Sequence, residues 1–347
     1  MSSVALSING KILKGWSDVN VTRSMQTISG SFSLSTVDSK LFETFTPHIS
    51  NGDKCQVSVD GTPVITGYVD QIDAFYTAND HTLTVSGRDK TGDLVDCSVI
   101  HSSGEFKNRT VKQIAQTLCQ PFGITVKTDY DGKAFKVFRI EPGETVFDAI
   151  ERMCRQLALL PISTPEGDLL LTRVSTTPSG ASLKTGGNIK SASLAYTHKD
   201  RFSNYTVKGQ QPGNDSVFGK AAATPMGKAQ DADIKRHRPF LLLAEQPGDG
   251  LTFTDRAQWE ANVRRGRSKA IRYVVPGWKH TGGKVWKENT IVSIQDDVLG
   301  VRERWTIADV VFALNDQSGH TTNLTVMPPE SFKLLPIPEA TQDEGIF

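Results

Sequence analysis

RTVKQIAQTLCQPFGITVKT (Arg109–Thr128) and ETVFDAIERMCRQLALLPIST (Glu144–Thr164) begin 35 residues apart and repeat one pattern. Thr110/Thr145, Val111/Val146 and Cys119/Cys154 coincide. Each copy opens on a capping signature, Thr110 three residues before Gln113 and Thr145 three before Asp148. The Thr side chain accepts a bond from a free amide of the first turn, and the second polar residue reaches back. Val111, Ile114, Ala115, Leu118 and Cys119 then keep the spacing of one buried helix face; Val146, Phe147, Ile150, Met153, Cys154 and Leu157 do the same. Pro121 ends the first helix and Pro161 lies just past the second. Strand-like sequence follows each, Gly123–Lys127 and Leu159–Ser163. The second turns at Pro165–Asp168 into Leu169–Arg173 as a hairpin. The middle of the chain therefore reads as a small α/β module of tandem helix–strand units.

Working outward, residues 1 to 98 read as β-structure. Val4–Ile8 and Lys11–Leu13 flank Asn9-Gly10, a strong hairpin signal. Ser24–Thr36 alternates with period two, Cys55–Val69 turns at Asp60-Gly61, and His81–Asp89 alternates again. Short alternating strands with tight turns predict a barrel or sandwich. Beyond the module, Thr176–Asn188 reads as a connector, Ser191–Tyr196 and Ser203–Gln210 as strands, and Gln211–Asp233 as a mobile loop. Phe240–Leu243 is a short strand. Asp255–Lys269 is a helix capped by Thr254, its acids ahead of its bases as the macrodipole favours. Strands at Ala270–Val275, Thr290–Gln295, Glu303–Leu314 and Thr321–Met327 precede a tail from about Pro336.

A second repeat pairs the layout of Asp53–Val85 with that of Glu288–Val326. Val57-Ser58-Val59 falls on Val292-Ser293-Ile294, and His81-Thr82 on His320-Thr321. This is either a coincidence of strand layout or the mark of two related β-domains.

Composition narrows the function. The chain has 347 residues, enough for two to four domains, and a net charge of +1, which is no polycation. It contains no apolar run long enough to cross a membrane and opens without a secretory signal. Cysteines 55, 97, 119 and 154 form no CxxC pair and read as reduced structural thiols. Gly213–Lys220 has five residues between its glycines, where a phosphate loop needs about four. The seven histidines form no ligand spacing, and Asp129–Gly132 lacks the closing acid of a calcium loop. No nucleophile elbow appears. Asp296-Asp297 and Glu144/Glu151 are the candidate carboxylate pairs for glycan cleavage, each with a plainer reading as a turn or a helix surface. Two basic clusters remain, Lys235–Arg238 and the group Arg264, Arg265, Arg267, Lys269, Arg272. They could meet phosphates or an acidic partner, without interleaved aromatics for single strands. The expectation is a structural protein, with no catalytic, cofactor-binding or metal residues.

Gly67–Tyr76 (GYVDQIDAFY), His81–Ser98 (HTLTVSGRDKTGDLVDCS) and the helix–hairpin ending at Arg173 resemble the baseplate hub proteins of Mu-like contractile-tailed phages. These are related more distantly to the hub part of type VI secretion spike proteins. Arg201–Gln210, Val274–Trp278 and Met327–Phe332 extend the resemblance over nearly the whole chain. It implies an α+β, β-rich multidomain fold with two related β-barrel domains and an inserted small α/β module. The domains expected are 1–98 plus 189–210, an insertion at 99–188, a mobile loop at 211–233, a second barrel with one helix at 234–335, and a tail at 336–347. The resemblance further implies a homotrimer joining the six-fold tail tube to the three-fold spike, around part of a channel for DNA ejection. Its partners would be a trimeric spike protein below, a tail tube protein or its terminal adaptor above, and other baseplate proteins at the periphery. DNA would pass only transiently, and nothing would insert in a membrane. The protein would reside in the virion baseplate after assembly in the host cytoplasm. The alternatives are a tail-associated cell-wall glycan hydrolase and a nucleic-acid-binding channel protein using Arg264–Arg272.

Overall fold

A computed structural model describes residues 3–132, 134–209, 226–243 and 252–336. Its first strands are β1 (Val4–Ile8), β2 (Lys11–Leu13), β3 (Asp18–Ser24) and β4 (Ser31–Thr36), followed by helix α1 (Ser39–Phe45). Then come β5 (Lys54–Val59), β6 (Thr62–Tyr76), β7 (His81–Asp89) and α2 (Gly92–Asp96). The central segment holds β8 (Glu105–Arg109), α3 (Val111–Cys119), β9 (Val126–Thr128), β10 (Phe135–Arg139), α4 (Val146–Leu157), β11 (Leu160–Ser163) and β12 (Leu169–Thr172). Next are β13 (Pro178–Lys184), β14 (Ser191–Tyr196), β15 (Asn204–Lys208), β16 (Met226–Gln230), β17 (Pro239–Leu243) and α5 (Phe253–Arg267). The last strands are β18 (Lys269–Pro276), β19 (Ile291–Gln295), β20 (Arg304–Asn315) and β21 (Gly319–Met327).

The chain divides into two compact units. The first comprises Met1–Glu151, Leu160–Ser193 and Ile271–Val326. A large sheet dominates it, in the order β14-β18-β21-β20-β3-β4-β7-β6-β5-β1-β2, with β19 beside β20 and β13 beside β19. The same order occurs twice. β3-β4-β7-β6-β5-β1 is matched strand for strand by β14-β18-β21-β20-β19-β13. One direction differs: β1 runs antiparallel to β5, whereas β13 runs parallel to β19. No sheet closes on itself among the described residues, so the expected barrels give way to one open, continuous sheet. The reason is a pairing that local sequence does not announce, β3 against β20, which fuses the two halves.

Period-two alternation sets the core. Val19, Val21, Phe32, Leu34, Leu83, Val85, Val310 and Phe312 point to one face and are almost fully buried. Asn9 and Gly10, both at positive φ, make the two-residue turn between β1 and β2; Asp60 and Gly61 do the same between β5 and β6. Ser24–Thr36 is not one strand. It breaks at Met25–Gly30, where Met25 and Ile28 dip into the core and the Gly30 amide donates to Asp89 at 2.7 Å. The expected connector 176–188 contains β13, because Leu183 is buried against the sheet.

In the α/β segment both capping signatures form as the sequence predicts. Gln113 N donates to Thr110 Oγ1 at 3.3 Å while Thr110 N donates to Gln113 Oε1 at 3.0 Å; Thr145 and Asp148 repeat this at 3.1 and 3.2 Å. Each such cap stabilises its helix by about 1 kcal/mol. β12 lies between β11, antiparallel, and β9, parallel, so the two helix–strand units share one small sheet.

The second unit comprises Arg152–Leu159, Leu194–Ala270 and Met327–Phe347. β15 is flanked by β16 and β17, and α5 covers one face, packing Phe253, Ala257 and Ala261 on Tyr205, Val207 and Ala229. A Cβ on Gly227 would stand 2.0 Å from the Phe253 carbonyl carbon, so only glycine admits the helix so close. β16 occupies 226–230, inside the stretch expected to be loop; Gly227 and Ala229 are buried, and small residues there hide a strand from a search for large apolar side chains. Residues 211–225 of that stretch and the tail beyond 336 lie outside the described residues. The α5 cap is Thr252 rather than Thr254, since Thr252 sets Asp255 three residues on and completes a capping box. Gly266, in the last turn of α5, is required by packing: a Cβ there would meet Ser331 N at 2.6 Å.

Candidate functional site

On β3, β4 and β7 the face of the large sheet opposite its core is rich in hydroxyls. β3 presents Asn20, Thr22 and Ser24, β4 presents Ser31, Ser33 and Ser35, and β7 presents Thr82, Thr84 and Ser86, all exposed or half-buried. Register aligns them in rows, Asn20 beside Ser33 beside Ser86, and Ser35 beside Thr84 with their hydroxyls 2.8 Å apart. These nine positions are uncharged, while Asp18 on β3, Arg88 on β7, Asp309 on β20 and Arg272 on β18 bring charges to the same face. Two of the charged groups are hydrogen-bonded. Arg88 donates to Asp70 and Asp96 at 2.7 Å, and Asp309 accepts from Ser24 Oγ at 2.6 Å. The surface can hydrate and form weak hydrogen bonds, but it offers no acid, base or nucleophile pair.

On the core side, β3 carries one charge. Arg23 is 3% exposed, in line with Val19 and Val21. Its Nε and Nη2 donate to Glu288 Oε1 at 3.1 and 2.8 Å; Nη2 also donates to the Ser163 carbonyl at 2.6 Å. Nη1 donates to Ser163 Oγ at 3.0 Å and, more weakly, to Asp89 Oδ2 at 3.5 Å. Asp89 in turn accepts from Thr91 Oγ1 at 2.5 Å and Thr91 N at 3.0 Å. The knot ties β3, the end of β7, the end of β11 and the segment before β19, four pieces distant in sequence. Arg23 escaped sequence reading. Its signal was an Arg at the buried parity of an alternating strand.

Residues 3–89 match the family described as Mu phage baseplate assembly protein GpP-like, N-terminal; 91–173 match the baseplate hub protein gp44-like second domain; 251–335 match the GpP fourth domain. The chain is 33% identical to the baseplate hub protein gp44 of Escherichia phage Mu, over 97% of this chain and 90% of that protein. The chain belongs to the phage baseplate hub family. The 43 kDa tail protein of prophage MuSo2 from Shewanella oneidensis shares its fold with a TM-score of 0.84 and 34% identity, over 97% of this chain and all of that one. A tail protein of Neisseria meningitidis shares the fold at TM-score 0.79 and 23% identity, covering 96% and 99%. These relatives are structural hub and tail proteins, not enzymes. This hub protein is a structural component of the tail baseplate, and so of the virion.

The residues singled out for chemistry are occupied with architecture. Asp296, 2% exposed, accepts from Tyr273 Oη at 3.0 Å, Thr185 Oγ1 at 3.1 Å, and Val298 N and Leu299 N at 3.0 Å each. Burial alone would raise its pKa, but hydrogen bonds from Leu299 N–H, Tyr273, Thr185 and Val298 N–H outweigh that and hold it below the ordinary carboxylate range. Asp297 is exposed and pairs with Arg302 at 2.7 Å. Because the folded pKa is depressed, the Asp296 carboxylate stabilises the fold above the unfolded value, about 3.9, and that contribution is lost as pH falls through the folded value. Asp296→Ala is therefore expected to cost about 1–3 kcal/mol near neutrality and progressively less in acid. Denaturant unfolding of both proteins across that range checks it; a pH-independent gap would refute the assignment. Glu144 accepts from Glu141 N at 2.8 Å, closing a turn, and Glu151 is half-buried on α4. Gly213–Lys220 lies outside the described residues. No group of three or more His, Cys, Asp or Glu gathers among the described residues, and no helix there is long and apolar enough to cross a membrane. Cys55, Cys119 and Cys154 are buried, Cys97 is exposed and none is bonded to another; burial pushes the Cys119 thiol up to about 12.

The basic clusters are largely spent inside the second unit. Arg264 donates to Glu260 Oε2 at 3.1 Å and stacks 4.4 Å over the Phe240 ring; Arg265 donates to Asp231 at 3.2 Å, and Arg267 to the Ser331 carbonyl at 3.1 Å. Arg238 donates to the carbonyls of Arg201 and Lys199 at 2.9 and 2.7 Å. The aromatic partners that the local sequence lacked come from strands β15 and β17 and their approaches, through Phe202 and Phe240. Phosphate binding would have to compete with these contacts.

Proposed function

We propose that three copies of this hub protein form a ring that joins the six-fold tail tube to the three-fold spike and makes part of the channel wall for DNA. The doubled strand order carries the reading. Two six-stranded repeats in one chain give three chains six similar surfaces, which resolves a six-to-three mismatch without a new protein. In this reading the two repeats are the two β-domains, with β13 and β14 falling to the second one rather than to the 99–188 insertion and the first barrel, and with α5 and its sheet outside it. The hydroxyl face suits a channel wall. Retaining DNA takes lysine and arginine free to displace its counterions; on β3, β4 and β7 the one such side chain of this face, Arg88, is paired with Asp70 and Asp96. The spike protein would sit on the three-fold side, the tube protein or its adaptor on the six-fold side and other baseplate proteins around the rim, after assembly in the host cytoplasm. Light scattering of the purified protein, alone and with the spike protein, tests this. A mass three times the 37.9 kDa chain in either condition is expected; a monomer in both would overturn it.

A further inference from the structure

A groove runs along α5 in the second unit. Trp259, Val263 and Arg267 stand four residues apart on one face of the helix and line it, with Arg264 beside them and Thr197 and Asp200 from the segment after β14. Its volume is about 350 Å³, the size of a small ligand site. Val263 is buried and Trp259 half-buried, so part of the lining is apolar.

One cation in the groove is uncommitted. Glu260 is held by Arg256 at 2.9 Å and by Arg264 at 3.1 Å, and Arg264 also donates to the Asp200 carbonyl at 3.4 Å. Arg267 uses its Nε, on the Ser331 carbonyl at 3.1 Å. Among the described residues its Nη1 and Nη2 take no partner. Asp200, the other uncommitted charge of the lining, is exposed and does not pair with it. Two free guanidinium nitrogens beside an apolar wall suit a carboxylate with an apolar neighbour.

The chain itself brings such groups to this place. After β21 it runs back along α5: Ser331 lies against Gly266 and Arg267, and the Lys333 carbonyl accepts from Trp259 Nε1 at 2.6 Å. The described residues stop at Pro336, so the chain leaves them next to the groove. Beyond Lys333 the sequence has no Lys, Arg or His; it carries Glu339, Asp343 and Glu344, then Gly345, Ile346 and Phe347. From Lys333 to Asp343 an extended chain spans up to about 33 Å. Trp259 and Arg267 are separated by about 12 Å of helix. The acids therefore reach Arg267 with length left for a reversal.

We propose that this groove is the docking site of the chain's own acidic tail, Asp343 and Glu344 meeting the free nitrogens of Arg267 while Ile346 and Phe347 cover Trp259 and Val263. The inference concerns the second unit alone and stands apart from the trimeric reading.

Disulfide trapping in the full chain tests it, in a Cys97→Ser background. Thr197→Cys with Ile346→Cys should oxidise within one chain, at least tenfold faster than Gln258→Cys with Ile346→Cys. Gln258 is exposed on the same helix and has no part in the groove, so that pair measures the random collisions of a tethered tail. Adding Asp343→Asn and Glu344→Gln to the first pair should bring its rate down to that of the second; these changes touch none of the described residues, so they leave the folded units as they are. Arg267→Gln, confirmed folded by circular dichroism, should do the same. Equal rates for the two pairs would overturn the docking, as would a rate unmoved by removing the acids or the arginine. Links between two chains in place of links within one would overturn it in favour of tails exchanged between copies. The comparison reads alike in a monomer and a trimer, so its failure is separate from a failure of the trimeric reading.

Discussion

Arg23→Met is expected to lower the unfolding free energy of the first unit by about 3–5 kcal/mol, the range for breaking a buried ion pair by removing one partner. Glu288 and Asp89 keep their charges behind side chains only 6 and 0% exposed, with the opposing guanidinium gone. The Ser163 carbonyl and hydroxyl lose donors at 2.6 and 3.0 Å. Methionine fills most of the volume, so the loss reports charge and hydrogen bonding rather than a cavity. Arg23→Lys should recover little, because one ammonium cannot serve Glu288, Asp89 and Ser163 in the planar fork geometry. Denaturant unfolding checks the magnitude, and limited proteolysis of residues 160–173 checks the locus. A loss below about 1 kcal/mol would mean that the knot contributes no more than a surface pair.

Arg201→Met should have an effect of the same order, about 3–5 kcal/mol, on the second unit. Arg201 and Asp231 are both completely buried as side chains. Nε and Nη2 clamp Asp231 at 2.8 and 2.9 Å, Nη2 reaches Asp233 at 2.8 Å, and Nη1 donates to Tyr196 Oη at 2.7 Å. Arg265 also donates to Asp231, but it is only partly buried and cannot replace the clamp. Replacing both partners with apolar residues of similar size should cost less than replacing Arg201 alone, since no uncompensated charge is left behind. Thermal unfolding of Arg201→Met beside the Arg201→Met, Asp231→Leu double variant separates these outcomes. Equal losses would indicate that packing, not charge, fixes the site.

Much of the local architecture was legible in the sequence. Thr110 with Gln113, and Thr145 with Asp148, placed α3 and α4 because helix caps act over three residues. Asn9-Gly10 and Asp60-Gly61 placed two hairpins because their turns need positive φ. The repeated motif of β5–β7 and β19–β21 was visible as matching short strings, and the structure gives both the same meander order. α1 and α2 were missed because seven and five residues are too short to show a helical period. β13 was missed because its Gly, Ser and Ala content imitates a linker. The candidate carboxylates were visible but uninformative: Asp296 and Asp297 are neighbours in sequence, yet one is buried under four donors and the other is solvated.

The sequence by itself determined the three longer helices, the tight turns, the buried parity of most strands and the family resemblance, all set by short stretches of neighbouring residues. Only the tertiary structure decided that β3 pairs with β20, some 285 residues away, that Arg23 and Arg201 are buried clamps, and that Arg238, Arg264, Arg265 and Arg267 of the basic clusters are spent on carboxylates, carbonyls and rings. The physical reason is common to all three. Strand pairing depends on edges, and the state of a charged side chain on its partner, and neither leaves a mark in the residues next to it. An arginine reads alike in sequence whether it ends in water, on a phosphate or against a buried glutamate.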